Sequence, residues 1–345
     1  MKRVNLNKLI GVESSKEIEK KRMPYLFLLS CENIDLAKEE VLAISTEPEY
    51  KVDGNVIVAE TALNFKRLAL TRGVYRFLFS CPRDALEEEM KKFNWKSIYK
   101  ESFSLRIHRA HKNVKRHEKT AEELANHVWD AVYKPKVELD YPMTRIEIII
   151  TDKNAYCGQY FWEVNGDFAK RKSHLRPHNQ PTSLNPKIAR ACVNVSGIKT
   201  GEVLMDPFCG AGGIMLEAGL MRFKTIGYDI DEAVLRKCMT NLDYYKVKRF
   251  KLHHMDAVKI SERADFIVTD LPYGQGSHLS GDRDELYLNF LKNLKSIVKN
   301  KAVVIFPDKV DHKKLIASSD FKIEKEFSVY VHSSLTRNIV LLGKD

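Results

Sequence analysis

Short apolar runs recur at regular intervals in the C-terminal part of the chain, separated by longer stretches of mixed polarity. An uninterrupted apolar run bounded by polar residues is typical of a strand that is buried on both faces. Strands that alternate with helical segments indicate a parallel, doubly wound α/β sheet. From Gly201 onward we therefore predict such a sheet, with strands at VLMD, FKTIGYD, FKLHHMD, DFIVTD and KAVVIFP.

The first half of the chain mixes strands and helices without this regular alternation. Its pattern predicts an α+β fold for residues 23–165, and the absence of a catalytic constellation there suggests binding modules. The predicted strands are 24–30, 55–61, 75–81, 102–111 and a pair around Lys153-Asn154, and the predicted helices are 33–45, 85–95, 120–134 and a helix-like segment at 63–73.

The chain becomes polar and rich in proline after Gly166. This composition predicts a connector of about 15 residues. A helix is expected to follow it, from Pro186 or Lys187 to Val195, and Gly197 closes this helix. The connector therefore separates the two halves of the chain.

Composition places the chain among ordinary globular proteins. Of its 345 residues, 44% are hydrophobic and 30% are charged. No uncharged apolar run approaches the ~18 residues that span a bilayer. Residues 1–22 form a charged leader without the apolar core of a secretory signal, so we expect a cytoplasmic protein without a membrane partner. The six cysteines are scattered without a CxxC pair, so neither a metal site nor a disulfide framework is expected.

Positive charge is concentrated in one segment of the first half. The formal net charge is +11, and residues 91–120 contain ten Lys or Arg residues but only two acidic ones. A second basic cluster, KRKSHLRPH, follows at 170–178. A solvated lysine-rich surface would account for part of this surplus. Its concentration and its arginines favour a surface that binds a polyanion such as RNA.

Acidic residues end three successive strands of the predicted sheet. Asp206 ends the first strand and is followed by a turn with Gly210 and Gly212, which lacks both the GxGxxG and the Walker pattern. Asp229 ends the second strand, where an acid can accept hydrogen bonds from ribose hydroxyls, and Asp256 ends the third, where it can accept from an adenine amino group. These positions line one crevice at the carboxyl edge of the sheet, which is where ligands bind in such folds.

A fourth acid opens the segment Asp270-Leu271-Pro272-Tyr273-Gly274, directly after the strand FIVT. A plain turn would also place Pro and Gly at the end of a strand. The four segments DPFCGAGG, GYDID, HMDA and TDLPYG, in this order, resemble the class I S-adenosylmethionine-dependent methyltransferases. More narrowly, they are similar to enzymes that methylate exocyclic amines of nucleobases, whose signature is Asp/Asn-Pro-Pro-Tyr/Phe. Here Leu271 replaces the first proline.

This resemblance implies roles for individual residues. Asp270 and the Leu271 carbonyl would accept the two N–H bonds of the amine, with Pro272 completing the turn and Tyr273 stacking on an extruded base. S-adenosylmethionine would be held by residues of the first three strand ends: Asp206, Phe208, Cys209, Gly210, Gly212, Asp229 and Asp256.

The N-terminal half resembles the THUMP arrangement of RNA-modifying enzymes, preceded by a ferredoxin-like piece. The connector RPHNQPTSLNPKIARACVN and the segment VYVHSSLTRNIVLL resemble the archaeal tRNA (guanine(10)-N2)-methyltransferase family, although Gln180 stands where that family has His. The resemblance implies a ferredoxin-like module at 23–85, a THUMP domain at 86–165, a linker at 166–190 and a methyltransferase domain at 191–345. The residues expected to contact RNA are Lys115, Arg116, Arg171, Lys172 and Arg176.

The expected activity is the transfer of one or two methyl groups to N2 of guanosine 10 in tRNA, by an enzyme that we expect to be monomeric. One alternative is the same chemistry on guanosine 6 of tRNA or on ribosomal RNA. A second is an amino-methyltransferase of DNA, since the signature does not identify the base. A third is a catalytically silent RNA-binding protein that keeps the fold.

Overall fold

The computed structural model describes residues 23–45, 49–61, 64–164, 167–180, 183–273, 283–332 and 335–344. The leader predicted at 1–22 lies outside these residues. The described residues form two compact units. The first contains residues up to 66 together with 71–164, and the second contains 67–70 together with the residues after 164.

The first unit is built on one seven-stranded sheet. Its strands are β1 (Met23–Leu29), β2 (Glu49–Asp53), β3 (Val56–Thr61), β4 (Thr71–Pro82), β5 (Phe103–Arg109), β6 (Thr144–Ile150) and β7 (Asn154–Glu163), and its helices are α1 (Ile34–Ile44), α2 (Leu86–Lys92) and α3 (Ala121–Ala131). The strand order is β2-β3-β1-β4-β7-β6-β5, and every pair is antiparallel except β5 with β6. Because β4 pairs with both β1 and β7, the strands of the two predicted modules share this sheet.

Local sequence accounts for most of these elements. The run Ile148–Ile150 is fully buried in β6, as expected for a strand inside the sheet. Thr120 caps α3 as predicted: its hydroxyl accepts from the Glu123 N–H at 3.2 Å, and the Glu123 carboxylate accepts from the Thr120 N–H at 2.7 Å.

Two local predictions for the first half differ from the structure. The helix-like segment at 63–73 is wrong, because only Phe65–Arg67 form a single 3₁₀ turn and β4 begins at Thr71. Leu68, Ala69 and Leu70 are buried in succession, whereas an amphipathic helix would expose one face in each turn. Strand β2 was not predicted, since EYKVD is an exposed edge strand without an apolar run.

The second unit has the predicted doubly wound, Rossmann-like sheet. Its strands are β8 (Val203–Asp206), β9 (Lys224–Asp229), β10 (Phe250–His254), β11 (Ala264–Asp270), β12 (Val298–Pro307), β13 (Phe321–His332) and β14 (Leu335–Lys344), and its helices are α4 (Pro186–Val195), α5 (Gly213–Leu220), α6 (Glu232–Tyr244), α7 (Arg283–Ile297) and α8 (His312–Ala317). The strand order is β10-β9-β8-β11-β12-β14-β13. Strands β8 to β12 are parallel, and β14 is antiparallel to both of its neighbours.

The order of the strands determines where a ligand can bind. From β8 the chain proceeds outward to β9 and β10, then returns to the other side of β8 with β11 and β12. The connections therefore diverge between β8 and β11, and their carboxyl ends leave a crevice at that point. The strand ends that the sequence marks with acids all lie at this edge of the sheet.

A buried ion cluster joins the connector and α4 to α5. Glu217 of α5 is fully buried and accepts from Arg171 Nε at 2.7 Å and from the second Arg171 nitrogen at 3.1 Å. Arg190 of α4 approaches Glu217 Oε2, the oxygen that also accepts from the second Arg171 nitrogen, at 2.8 Å. Both arginines are at most 9% exposed in their side chains, so one buried carboxylate balances two buried guanidinium groups.

We expect Glu217→Gln to lower the free energy of unfolding of the second unit by about 3–5 kcal/mol, because it leaves two buried guanidinium groups without their anion. Chemical denaturation measures this loss. Arg236→Met is the matched control, since Arg236 forms an exposed i,i+4 pair with Glu232 at 3.0 Å and such pairs contribute little. Equal losses in the two variants would contradict the assignment of Glu217 as the centre of a buried cluster.

Candidate active site

Four aspartates lie at the carboxyl edge of the second unit's sheet. Asp206 ends β8, Asp229 ends β9, Asp256 follows β10 and Asp270 ends β11. The negative charges of Asp270 and Asp229 both raise the pKa of Asp206, as expected for groups that face the same crevice. The sheet therefore brings together the acids that were predicted from separate segments.

The turn after β8 is held in a conformation that favours glycine. Gly210 and Gly212 have φ values of 51° and 85°, in the left-handed region. A Cβ atom on Gly210 would lie 2.7 Å from Oε1 of Gln180, and the same oxygen accepts from the N–H of Ala211 at 2.6 Å. The connector thus contacts the loop directly through Gln180, the residue at which the sequence departs from the family pattern.

Asp229 is anchored at the mouth of this turn. Its Oδ2 accepts from the Gly210 N–H at 3.0 Å, and its Oδ1 accepts from the Asp231 N–H at 2.9 Å. Burial raises the pKa of Asp229, against the opposing effect of these main-chain donors. A carboxylate oriented in this way keeps further lone pairs for two adjacent hydroxyl groups, as the ribose prediction requires.

Asp206 is more deeply placed than the prediction implied. It is 1% exposed, and its Oδ1 accepts from the Thr269 hydroxyl at 2.7 Å and from the Phe208 N–H at 3.3 Å. Burial raises the pKa of Asp206 to about 7. Asp206 therefore ties the end of β8 to β11, and its direct contact with a cofactor stays a prediction.

The remaining residues predicted to line the cofactor differ in exposure. Phe208 is half-buried and packs edge-on against Phe290 of α7, with ring centres 4.9 Å apart. Cys209 is 5% exposed, and its N–H donates to the Tyr228 carbonyl at 2.9 Å. Asp256 is half-buried, and its Oδ1 accepts from the Val258 N–H at 3.1 Å, which begins a 3₁₀ turn.

These groups fit the predicted cofactor. The positive φ values of Gly210 and Gly212 make the turn after β8 tight, and Gln180 and Cys238 occupy the space that a Cβ atom at these two positions would need. The carboxylates at the crevice suit a ligand that carries positive charge, ribose hydroxyls and an amino group. Among the described residues, no group of three or more His, Cys, Asp or Glu side chains could hold a metal ion.

The segment after β11 forms a compact network around Asp270. The Tyr273 hydroxyl donates to Asp270 Oδ1 at 2.7 Å, and a terminal nitrogen of Arg337 approaches Oδ2 at 3.2 Å. Arg337 Nε also donates to the Tyr273 oxygen at 2.6 Å. Burial raises the pKa of Asp270 to about 6, although Arg337 and the Tyr273 hydroxyl oppose this rise. Burial and the nearby Asp270 likewise raise the pKa of Tyr273.

The backbone of this segment is fixed on both sides. The Leu271 N–H donates to the Ile305 carbonyl of β12 at 3.0 Å, and the Leu271 side chain is fully buried. The Tyr287 hydroxyl of α7 donates to the Pro272 carbonyl. The peptide units that flank the Leu271 carbonyl are therefore held by the sheet and by α7. Gly274, the last residue of the motif, lies outside the described residues.

Arg337 is a functional residue that sequence reasoning missed. It was quoted as part of the C-terminal segment but received no role. Strand β14 places it: Arg337 pairs with Pro307 of β12, and Asp270 of β11 pairs with Ile305 on the same strand. The signal in the sequence was a cation two positions before the apolar run of β14, and in the structure this arginine is 3% exposed.

Two of the five predicted RNA contacts are wrong. Arg171 and Arg176 are 7% and 5% exposed, and Arg176 Nε donates to the Arg171 carbonyl at 2.9 Å. Arg171 is committed to Glu217 and Arg176 is buried, so neither guanidinium is exposed to phosphate. Lys172 in the second unit, and Lys115 and Arg116 in the first, are exposed.

Two family models match the chain. The RMKL-like methyltransferase domain matches residues 173–339, and a DNA methylase model matches residues 10–240. The second range ends before Asp270, whereas the first includes all four aspartates and Arg337.

In the described part of the chain, no helix is long and apolar enough to cross a membrane.

Similar proteins are known in sequence and in structure. The chain is 32% identical to a tRNA (guanine(10)-N2)-dimethyltransferase of Methanothermobacter thermautotrophicus, over 81% of this chain and 84% of that protein. It is 32% identical to the protein of the same name from Pyrococcus abyssi, over 89% and 96%. A tRNA (guanine(6)-N2)-methyltransferase of Methanocaldococcus jannaschii is 26% identical over 74% and 81%.

The crystal structure of TrmN from Thermus thermophilus aligns with 93% of this chain and all of its own, with a TM-score of 0.52 and 20% identity, which shows a shared fold. The relatives that are 32% identical cover more than four fifths of the chain, and the RMKL-like model covers the segment that carries the aspartates. The chain therefore belongs to the tRNA (guanine(10)-N2)-dimethyltransferase family.

Proposed function

We propose that this protein transfers methyl groups from S-adenosylmethionine to the exocyclic N2 of guanosine 10 in tRNA. The observation that carries the proposal is Asp270, a carboxylate at the end of β11 that is 15% exposed in its side chain and held between Tyr273 and Arg337. It lies at the same sheet edge as the glycine turn and Asp229. Family membership supports the nucleotide and the base.

The first three strand ends would hold the cofactor. The tight turn at Gly210 and Gly212 would lie against it, Asp229 would accept from its ribose hydroxyls, and Asp256 would accept from its adenine amino group. When bound, S-adenosylmethionine supplies a methyl group on a positively charged sulfur. The nearby carboxylates would favour this charge.

Asp270 and the Leu271 carbonyl address the weak nucleophilicity of guanine N2. The lone pair of this amine is delocalised into the ring, so the nitrogen must be oriented before it can attack. A carboxylate and a fixed carbonyl that accept its two N–H bonds would orient it and would stabilise the positive charge that develops there. Asp270 would then take the released proton, since a pKa of about 6 is compatible with a general base near neutral pH.

Tyr273 would contact the base through its ring. A guanine that leaves its helix loses stacking worth a few kcal/mol, and an aromatic ring can replace it. Tyr273 is only half-buried and follows Asp270 by three residues. Its ring therefore lies close to the position where the amine would bind.

The first unit would bind the RNA. Lys115 and Arg116 are exposed, and Arg83 donates to the main-chain carbonyls of both, at 3.0 Å for Lys115. Contacts between exposed basic side chains and phosphates position a nucleic acid without reading its sequence. The interpretation of residues 23–85 as ferredoxin-like and 86–165 as a THUMP domain belongs to this proposal, as does a phosphate contact by Lys172 of the second unit.

A tRNA transcript incubated with the protein and labelled S-adenosylmethionine should yield N2-methylated guanosine in nucleoside mass spectrometry. Replacing guanosine 10 by adenosine should abolish the product. The relative that acts on guanosine 6 favours one second candidate, methylation at that position. Product that survives substitution at position 10 but disappears on substitution at position 6 would establish the second candidate instead.

We expect Asp270→Asn to lower kcat by about 10²–10⁴-fold, because the amide cannot take the proton or balance the developing charge. Calorimetry should show that cofactor and tRNA still bind. Asp265→Asn is the matched control: it changes an acid of the same strand, at the opposite end, where Asp265 accepts from Val203 N–H at 2.9 Å. Loss of cofactor binding in Asp270→Asn would show that its role is misassigned.

Activity should fall on the acid side of about pH 6. Asp270 must be ionised to accept N–H bonds, and burial raises its pKa to about 6, so at pH 5 only about a tenth of it is ionised and kcat should drop about tenfold. Single-turnover rates at saturating cofactor and tRNA measure this dependence. A rate that stays constant down to pH 4.5 would argue against an ionised Asp270 in the reaction.

A further inference from the structure

Asp270 presents its two oxygens to different partners. Oδ1 accepts from the neutral Tyr273 hydroxyl at 2.7 Å, and Oδ2 faces the charged Arg337 at 3.2 Å. An amine that enters the site can replace the hydroxyl, because one neutral donor is exchanged for another. The guanidinium is a stronger partner, since a charge-assisted hydrogen bond is about twice as strong as a neutral one.

Arg337 contacts both members of this pair. Its Nε donates to the Tyr273 oxygen at 2.6 Å, and its guanidinium carbon lies 5.3 Å from the centre of the Tyr273 ring. Its side chain is 4% exposed, so solvent screens these interactions weakly. One guanidinium therefore fixes the orientation of the carboxylate and the position of the ring.

A buried carboxylate needs a nearby cation or hydrogen-bond donors to remain ionised. Burial raises the pKa of Asp270, and Arg337 is the largest of the opposing influences. Burial alone would lower the pKa of Arg337, but Asp270 and Tyr273, together with smaller influences, outweigh burial and raise that pKa. The titratable and charged groups around Asp270 lie on β8, α7 and β14 and in its own turn: Asp206, Tyr287, Arg283, Tyr273 and Arg337.

Of these groups, Arg337 makes the contact that can keep Asp270 ionised, so that both of its oxygens can accept hydrogen bonds. Asp206 carries the same sign of charge as Asp270, and Arg283 acts on Tyr287. If Asp270 were protonated, it would offer an O–H toward the amine in place of a second acceptor. The reaction would then lose both the orientation of the amine and the base.

We propose that Arg337 is a positioning residue, which holds Oδ2 of Asp270 so that the ionised carboxylate presents Oδ1 to the amine of the base. Tyr273 occupies Oδ1 until the base replaces it. This inference rests on the proposed function. It assigns to β14 a part in the reaction.

Arg337→Gln and Arg337→Lys test the proposal through the pH dependence of single-turnover methylation. Arg337→Gln removes the charge. The acid limb, which is the fall in rate at low pH, should therefore move from about pH 6 upward by about 1–3 pH units, and most of the lost activity should return at pH 9. Arg337→Lys keeps the charge, so its limb should stay within about one unit of the wild type, with a lower plateau because Lys lacks the planar fork.

Arg171→Gln is the matched control, because it removes a buried guanidinium of the same unit that contacts Glu217 and not Asp270. It should lower stability without moving the acid limb. A loss in Arg337→Gln by the same factor at every pH would mean that Arg337 has only a structural role, and would overturn the proposal. If Arg337→Gln shows no cooperative unfolding transition, Arg337→Lys decides the question. A shift of its acid limb by more than about one pH unit would then overturn the proposal.

A second readout does not depend on activity. Because the pKa of Asp270 is higher in the folded than in the unfolded chain, its contribution to the unfolding free energy falls as pH rises from about 4 to about 6 and then levels off. In Arg337→Gln the fall should continue to higher pH, and adding Asp270→Asn should remove it. Wild-type protein that methylates no tRNA refutes the proposed function, whereas an active wild type with an unmoved limb in Arg337→Gln refutes only this inference.

Discussion

In the proposed function, the largely buried carboxylate of Asp270 at the end of β11 must stay charged. The second unit depends on how the fold satisfies this requirement. The parallel sheet makes it harder, because β8, β9 and β11 direct Asp206, Asp229 and Asp270 toward one edge. In addition to burial, the charges of Asp270 and Asp229 raise the pKa of Asp206. Positive charge must therefore reach this edge from elsewhere, and Arg337 is the cation that the described residues place against Asp270.

The acids meet the same requirement in different ways. Asp229 is stabilised by the main-chain N–H groups of Gly210 and Asp231, which cost no additional charge. Burial raises the pKa of Asp206 to about 7, and the Thr269 hydroxyl and the Phe208 N–H oppose this rise only in part. A cationic ligand in the crevice would favour ionisation of all of them. The sheet edge is thus suited to a positively charged donor before any specific contact is considered.

Sequence reasoning succeeded where the relevant information is local. The five parallel strands, the capping of α3 and the acids at the strand ends follow from runs of neighbouring residues. It failed where two distant segments meet. Arg171 and Arg176 resemble a basic patch in the sequence, yet Arg171 binds Glu217, which is 46 positions away. Gln180 and Arg337 reach the site through packing and strand pairing, which charge and periodicity do not reveal.

Strand β14 also determines when the site can become complete during folding. It lies between β12 and β13, although β13 precedes it in the chain. Strand β13 pairs with β14 and not with β12, so it joins the sheet only through β14. The Arg337 guanidinium therefore reaches Asp270 only when β14 pairs with β12. Until that insertion, the aspartate beside the proline turn lacks its counter-ion. Catalytic activity is thereby linked to completion of the sheet, because a partly assembled domain lacks the contact between Arg337 and Asp270.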